Sequence, residues 1–157
     1  MRILGIDPGY ERLGLSVIEG ERSKETLIYS ECFRTSAKIP FEERLLLIGE
    51  RVEYIIKKYK PEILAIENLF LSNNQKTAMR VSEVRGAIIY LGLKKGLKVF
   101  EYTPLQIKNS VLGYGKGDKK QIQFMVPKLI KMPSKVRFDD EYDAVAIALT
   151  ASASIRR

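Results

Sequence analysis

Four acidic residues lie at or near the ends of apolar runs in the sequence. Asp7 follows the apolar run ILGI, and Glu67 ends the stretch EILAIE. Asp140 and Asp143 lie in DDEYDAVAIALTAS, and their spacing of three residues puts both on one face of a helix. A charge beside buried apolar residues is unfavourable unless something pairs with it. These four carboxylates are therefore the candidates for chemistry.

The residue types limit what that chemistry is. The chain has no histidine, which removes the commonest general base and transition-metal ligand, and its single cysteine, Cys32, is predicted to be a small buried hydrophobic residue. Converging carboxylates without histidine or cysteine form a hard oxygen site suited to Mg²⁺ or Mn²⁺. Two such ions about 3.5–4 Å apart activate a water and stabilise the leaving oxygen of a phosphodiester.

Each acid also has a structural interpretation that needs no metal. Asp7 precedes Pro8 and Gly9 and is also explained as a turn residue. Glu67 is compatible with a salt bridge to a lysine. Acids in the first turn of a helix are favoured by the helix dipole, and Asp139 is a candidate N-cap. Asp139 is also the alternative to Asp140 as the acid that faces inward, if the helix register differs by one residue.

Hydrophobic periodicity supplies the elements that position these acids. Strands are predicted at 2–7, 13–19, 25–34, 62–67 and 97–103, and helices at 40–60, 74–95, 104–113, from Asp118 to a kink or end at Pro127, and at 139–154. The first three strands predict an antiparallel meander, and the strand–helix–strand connections predict two further parallel strands. The expected fold is one α/β domain, 1–157, with a mixed five-stranded sheet and helices on both faces.

This topology explains how distant acids meet. If the fourth strand lies parallel beside the first, Asp7 and Glu67 leave the sheet at the same edge, where functional groups collect in such sheets. On the last helix, the face that carries Asp140 and Asp143 continues through Ala144 and Ile147, which predicts that both acids point inward while Glu141 points outward.

Five segments in this order resemble the RuvC Holliday junction resolvases over essentially the whole chain: GIDPG, AIENLF, RGAI, VFEYTP and DDEYDAVAIA. The resemblance implies a ribonuclease H-like fold and metal-dependent, symmetric nicking of four-way DNA junctions in recombination and repair. It assigns the catalytic and metal-binding acids to Asp7, Glu67, Asp140 and Asp143, with two Mg²⁺ ions for which Mn²⁺ substitutes. Some relatives carry histidine where Asp140 stands.

Contacts to DNA are expected from basic and aromatic residues near the acids. The net charge of +8, from 27 Lys and Arg against 19 acids, favours a polyanionic partner. The resemblance makes Lys108 and Lys119 close, catalytic phosphate contacts. Phe70 either stacks between bases at the junction centre or packs under its own loop. Further DNA-binding candidates are Lys76, Arg80 and Lys120.

The resemblance also implies partners. A homodimer suits the approximate two-fold symmetry of a four-way junction, and the apolar face of the 74–95 helix, with Val84 and Ile88, is a candidate for both core and dimer contacts. A RuvA and RuvB branch-migration complex and a cytoplasmic, membrane-free location are expected. Two alternatives remain open: a related nuclease acting on other branched DNA or RNA, and a non-catalytic nucleic-acid-binding module.

Overall fold

The computed structural model describes residues 1–20, 24–68, 75–134, 136 and 138–155. Along the chain the elements are β1 (Arg2–Asp7), β2 (Arg12–Gly20), β3 (Glu25–Arg34), α1 (Phe41–Tyr59), β4 (Ile63–Glu67), α2 (Gln75–Lys94), β5 (Lys98–Tyr102), α3 (Pro104–Leu112), α4 (Lys119–Leu129) and α5 (Asp139–Ile155). The predicted order of strands and helices is confirmed. α4 ends two residues after Pro127, in agreement with the limit that this proline sets.

The strands form one five-stranded sheet in the order β3-β2-β1-β4-β5. β1 pairs antiparallel with β2, and β2 antiparallel with β3. β4 lies parallel to β1 on one side and parallel to β5 on the other. The mixed sheet is therefore the predicted one, an antiparallel meander extended by two parallel strands.

Helices cover both faces of this sheet, and alternate residues of each strand point to opposite layers. Ile3 and Ala65 pack into the cluster formed with α3, α4 and α5, whereas Leu4 and Leu64 pack into the cluster formed with α1 and α2. The same alternation carries Asp7, four residues after Ile3, to the α5 side. Glu67 follows Ala65 by two residues and reaches the same side.

Two glycines let α5 lie directly on β1 and β2. A Cβ atom at Gly5 would come within 2.3 Å of the backbone oxygen of Ala144, and one at Gly14 within 2.2 Å of the backbone oxygen of Asp140. The buried Ser16 hydroxyl donates a hydrogen bond of 2.9 Å to that same Ala144 oxygen. The start of α5 is therefore fixed against the strand that ends in Asp7.

Capping residues fix the starts of the two short helices beside α5. Thr103 and Gln106 form a capping box at α3, and Asp118 and Gln121 form one at α4. Because Asp118 is the N-cap, Lys119 is the first residue of α4. No helix in the described ranges is both long enough and apolar enough to cross a membrane.

Candidate active site

An open cavity of about 270 Å³ lies where β1 and β4 end. Its walls come from five elements, β1, β4, α3, α4 and α5, and they combine acids, two cations and apolar side chains. The lining residues are Asp7, Glu67, Asp143, Lys108, Lys119, Pro104, Ile107, Ile122 and Ile147. Residues that are distant in sequence thus share one solvent-accessible pocket, and three of the four candidate acids are among them.

Strand register brings the first two acids together. Ile6 is the partner of Ile66 in the parallel ladder, and Asp7 and Glu67 each follow one residue later. Arg85 of α2 fixes the backbone at this point, since its Nε donates a hydrogen bond of 2.9 Å to the carbonyl oxygen of Glu67. The same guanidinium pairs with Glu101, so Arg85 is a positioning residue in the structure rather than a free surface charge.

The cavity concentrates negative charge. Burial raises the pKa of Asp7 well above its usual value, and the neighbouring charges of Asp143, Glu67 and Asp140 raise it further against the opposing effect of Lys119. Burial followed by the charge of Asp143 raises the pKa of Glu67. Burial also raises the pKa of Asp143, although its contact with Lys119 acts in the opposite direction. The carboxylates are therefore repelled by one another and poorly solvated.

Asp140 lies beside the cavity and is not part of its lining. It is buried, with 8% of its surface exposed, and its Oδ2 lies 3.4 Å from Nη1 of Arg12. The thiol of Cys32 donates a long hydrogen bond of 3.7 Å to the same oxygen. Asp140 points inward as expected, but toward Arg12 and Cys32, while remaining near enough to Asp7 to raise that residue's pKa.

Two predictions about neighbouring side chains are wrong. Cys32 is only partly buried, and burial together with the charge of Asp140 raises the pKa of its thiol to about 12, so it serves as a hydrogen-bond donor and not only as a hydrophobic residue. Glu141 does not point outward into solvent, because its Oε2 accepts a hydrogen bond of 2.9 Å from the Ser30 hydroxyl on β3. The antiparallel β3 edge reaches far enough to meet both side chains.

Asp139 and Arg12 have roles that the sequence did not reveal. Nζ of Lys119 lies 2.8 Å from Oδ2 of Asp139 and 2.9 Å from Oδ2 of Asp143. Nη1 of Arg12 lies 3.5 Å from Oδ1 of Asp139. One signal for Arg12 exists in the sequence: the hairpin that pairs Asp7 with Gly14 necessarily returns residue 12 to the acidic edge.

The predicted DNA contacts are distributed around this edge. Lys108 is half-buried in the cavity wall, whereas Lys120 and Lys76 are exposed outside it. Arg80 is already engaged, since its guanidinium lies 4.0 Å from the centre of the Phe41 ring and 3.0 Å from Glu83. Phe70 lies outside the described residues.

The donor set fits a hard divalent cation, although the side chains are not drawn together around one. Among the described residues, no group of three acidic, histidine or cysteine side chains is arranged to hold a metal ion as it stands. The cavity nevertheless offers only oxygen donors, and within the described residues no cation lies at salt-bridge distance from Asp7. A bound divalent ion would offset the excess negative charge of the cavity and lower the raised pKa values of its carboxylates.

A family model and a relative of similar sequence, which carry the same name, both match this chain. Residues 3–151 match the family model described as crossover junction endodeoxyribonuclease RuvC. The protein of that name from Caldanaerobacter subterraneus subsp. tengcongensis is 44% identical over 149 residues, which cover 95% of this chain and 90% of the relative.

Two solved structures are similar as well. The RuvC of T. thermophilus in complex with Holliday junction substrate superposes with a TM-score of 0.92 at 32% identity, covering 99% of this chain and 95% of that one. The yeast mitochondrial Holliday junction resolvase gives a TM-score of 0.71 at 15% identity over 94% of this chain and 76% of that one, a likeness of fold alone. The ribonuclease H-like fold expected from the sequence is thereby supported.

Proposed function

The chain belongs to the RuvC family of crossover junction endodeoxyribonucleases, and we propose that it resolves Holliday junctions by hydrolysing one phosphodiester on each of two opposing strands. The observation that carries this proposal is the cavity in which Asp7, Glu67 and Asp143 meet at the carboxyl edge of β1 and β4. Family membership supports dependence on divalent metal. The finer assignment, two Mg²⁺ ions replaceable by Mn²⁺, rests on the all-oxygen donor set.

The three cavity acids are the residues that hold the metal. Asp140, in the first turn of α5 beside the cavity, completes the set. When bound, such ions supply a hydroxide nucleophile at neutral pH and stabilise the charge that develops on the leaving oxygen. The carboxylates must be ionised to bind metal, and the pKa values of Asp7, Glu67 and Asp143 are raised. Protonation therefore competes with metal at higher pH than it does for ordinary carboxylates.

The remaining cavity residues orient the substrate. Lys108 and Lys119 are the cations that contact the phosphate beside the scissile bond and offset its charge. Ile107, Ile122 and Ile147 form the apolar part of the cavity wall. The capping box at Asp118 fixes the first residue of α4, which limits the range of positions open to the Lys119 backbone.

The test of this function compares DNA structures in the presence and absence of metal. Synthetic four-way junctions and linear duplexes of the same sequence, labelled on each strand, are incubated with the protein in Mg²⁺ or in EDTA. We expect paired nicks on opposing strands of the junction in Mg²⁺ only, with the linear duplex left intact. Salt-dependent binding without cleavage in any metal would instead indicate a non-catalytic binding module, and equal cutting of flaps or RNA would indicate a related nuclease.

Lys76, Arg80 and Lys120 are proposed to hold the DNA backbone outside the cavity. Replacing the exposed Lys120 with Gln should lower affinity for all junction sequences equally and reduce the slope of log affinity against log salt by about 0.9, the contribution of one phosphate contact. Filter-binding or anisotropy titrations at several salt concentrations measure this slope.

Lys58 is the matched control for Lys120. Its Nζ lies over the Tyr54 and Tyr59 rings at the end of α1. That end of α1 joins the start of β1 through the hydrogen bond of 2.9 Å from Arg2 to the Tyr59 carbonyl, so it lies at the edge of the sheet opposite to the cavity. Lys58→Gln should leave the slope unchanged, and an equal fall for both variants would contradict the assignment.

We propose a homodimer through α2, but through the side of the helix opposite to Val84 and Ile88. Val84 and Ile88, the candidates for a shared role, are buried in the core of the protomer. The opposite side of α2 carries a stripe at helical spacing, Met79, Gly86, Tyr90 and Leu93, whose three large side chains are exposed by 58–68%. We assign the dimer contact to this stripe because Gly86, with no atom near its absent Cβ, allows a second helix to approach closely.

Replacing Tyr90 with Glu should convert the dimer to a monomer at micromolar concentration, as measured by sedimentation equilibrium, because it places a charge in an apolar contact. Phe124→Glu is the control, since Phe124 is equally exposed but lies on α4. A dimer that survives Tyr90→Glu and dissociates with Phe124→Glu would move the interface to α4. A cytoplasmic location and a RuvA and RuvB branch-migration complex as partner remain proposals that the family resemblance implies.

A further inference from the structure

Lys119 is shared between two carboxylates that differ in their relation to the cavity. Its Nζ lies 2.8 Å from Asp139 and 2.9 Å from Asp143. Asp143 lines the cavity, whereas Asp139 stands at its rim, outside the lining. Asp139 therefore contacts the lysine without itself facing the cavity.

The spacing on α5 explains why one ammonium reaches both acids. Asp139 and Asp143 are four residues apart and so lie one turn apart on the same side of the helix. Lys119 approaches from the capped start of α4, and Arg12 holds the other oxygen of Asp139 at 3.5 Å. Asp139 thus has a second cationic contact besides Lys119.

We propose that Asp139 is a positioning residue that retains Lys119 at the cavity rim when a divalent ion takes over Asp143. The inference rests on the proposed metal-dependent function. Metal binding at Asp143 removes one of the two contacts of Lys119. With Asp139 present, the lysine keeps its second contact and stays beside the phosphate. Without Asp139, the lysine holds Asp143 alone, so the metal must displace the entire ion pair.

Direct binding of Mn²⁺ to the DNA-free protein tests this exchange, with free Mn²⁺ followed by electron paramagnetic resonance. Asp139→Asn should weaken Mn²⁺ binding by about two- to fivefold, the range expected for one partly exposed ion pair. Glu141→Gln is the matched control: it removes the same charge from the same helical turn, but its carboxylate faces Ser30. Glu141→Gln should weaken binding by clearly less.

A double-mutant cycle separates competition by the lysine from a general loss of charge. In a Lys119→Gln background there is no lysine to retain, and Asp139→Asn should then have no larger effect than Glu141→Gln. Cleavage by Asp139→Asn should require more Mg²⁺ for half-maximal rate and have a lower rate at saturation, whereas Asp139→Glu should restore both. An equal effect of Asp139→Asn with and without Lys119 would overturn the inference.

If the proposed metal-dependent function itself is wrong, the Mn²⁺ binding measurements differ in another way. If the wild-type protein binds no Mn²⁺, or binds it unchanged after Asp7→Asn, the metal site itself is wrong and the inference falls with it. If the wild-type protein binds Mn²⁺ through Asp7 but the cycle shows no coupling between Asp139 and Lys119, only the role of Asp139 is overturned.

Discussion

Replacing Asp7 with Asn should lower the single-turnover rate of junction cleavage by about 10³-fold or more, because metal ligation contributes several kcal/mol of transition-state stabilisation and each 1.36 kcal/mol is tenfold in rate. The charges of Asp143, Glu67 and Asp140 all act on Asp7, whose carboxylate lines the cavity. Junction binding should be retained, since the proposed DNA contacts are basic side chains and not Asp7. Rapid-quench cleavage and anisotropy on the same junction measure the two quantities.

The same substitution should stabilise the metal-free protein at neutral pH. The pKa of Asp7 is raised in the folded state, so the ionised carboxylate destabilises the fold. The stability of the wild-type protein in EDTA should fall as pH rises from about 4, the value in the unfolded chain, through the raised folded pKa. Asp7→Asn should reduce this fall.

Urea unfolding in EDTA at pH 5 and pH 8 gives the comparison, with Glu50→Gln on the exposed side of α1 as the control. The control should change neither stability nor cleavage. A cleavage rate close to wild type in Asp7→Asn, or a loss of stability at pH 8, would contradict the role given to Asp7.

Replacing Gly14 with Ala should damage both the fold and the site. The added Cβ would meet the backbone oxygen of Asp140 at 2.2 Å and Cβ of Asp7 at 3.0 Å, so the start of α5 must move away from β2. Overpacking of this kind destabilises by about 1–3 kcal/mol. A displacement of about 1 Å in a catalytic group lowers the rate by about 10²-fold. Chemical denaturation and cleavage at saturating Mg²⁺ measure these effects.

Gly49 provides the comparison for Gly14, because a Cβ there meets no atom within 4 Å and the residue lies inside α1. Gly49→Ala should leave cleavage unchanged and stabilise the protein by about 0.5–1 kcal/mol, since alanine is the better helix former. If Gly14→Ala cleaved junctions at the wild-type rate, the close contact between β2 and α5 would not be what positions Asp140.

The meeting of Asp7 and Glu67 could be predicted because it depends on simple periodicities. Side chains alternate along a strand, and parallel neighbours end at one edge, so two apolar strands that each end in an acid bring those acids together. The helical face that continues from Asp140 and Asp143 through Ala144 and Ile147 likewise predicted that α5 turns this side toward the sheet. These features depend on backbone geometry alone.

The partners of each acid could not be predicted, because they depend on how α4 and β3 pack against α5. A small rotation of α5 decides whether Asp139 or Asp140 meets Lys119, and the position of β3 brings Cys32 to Asp140. Sequence alone also left open how α2 divides its residues between the core and a dimer contact. The periodicity of α2 identified an apolar stripe with Val84 and Ile88, but the sheet already covers it, which leaves the stripe with Tyr90 exposed.

Anomalous scattering from Mn²⁺ in crystals of the protein tests the central claim most directly. The account predicts Mn²⁺ peaks inside the cavity, about 2.0–2.6 Å from carboxylate oxygens of Asp7, with Glu67 or Asp143 as further ligands and Lys119 displaced toward Asp139. Saturating Mn²⁺ that produced no peak at Asp7, or peaks only at surface acids with Lys119 still between Asp139 and Asp143, would contradict it.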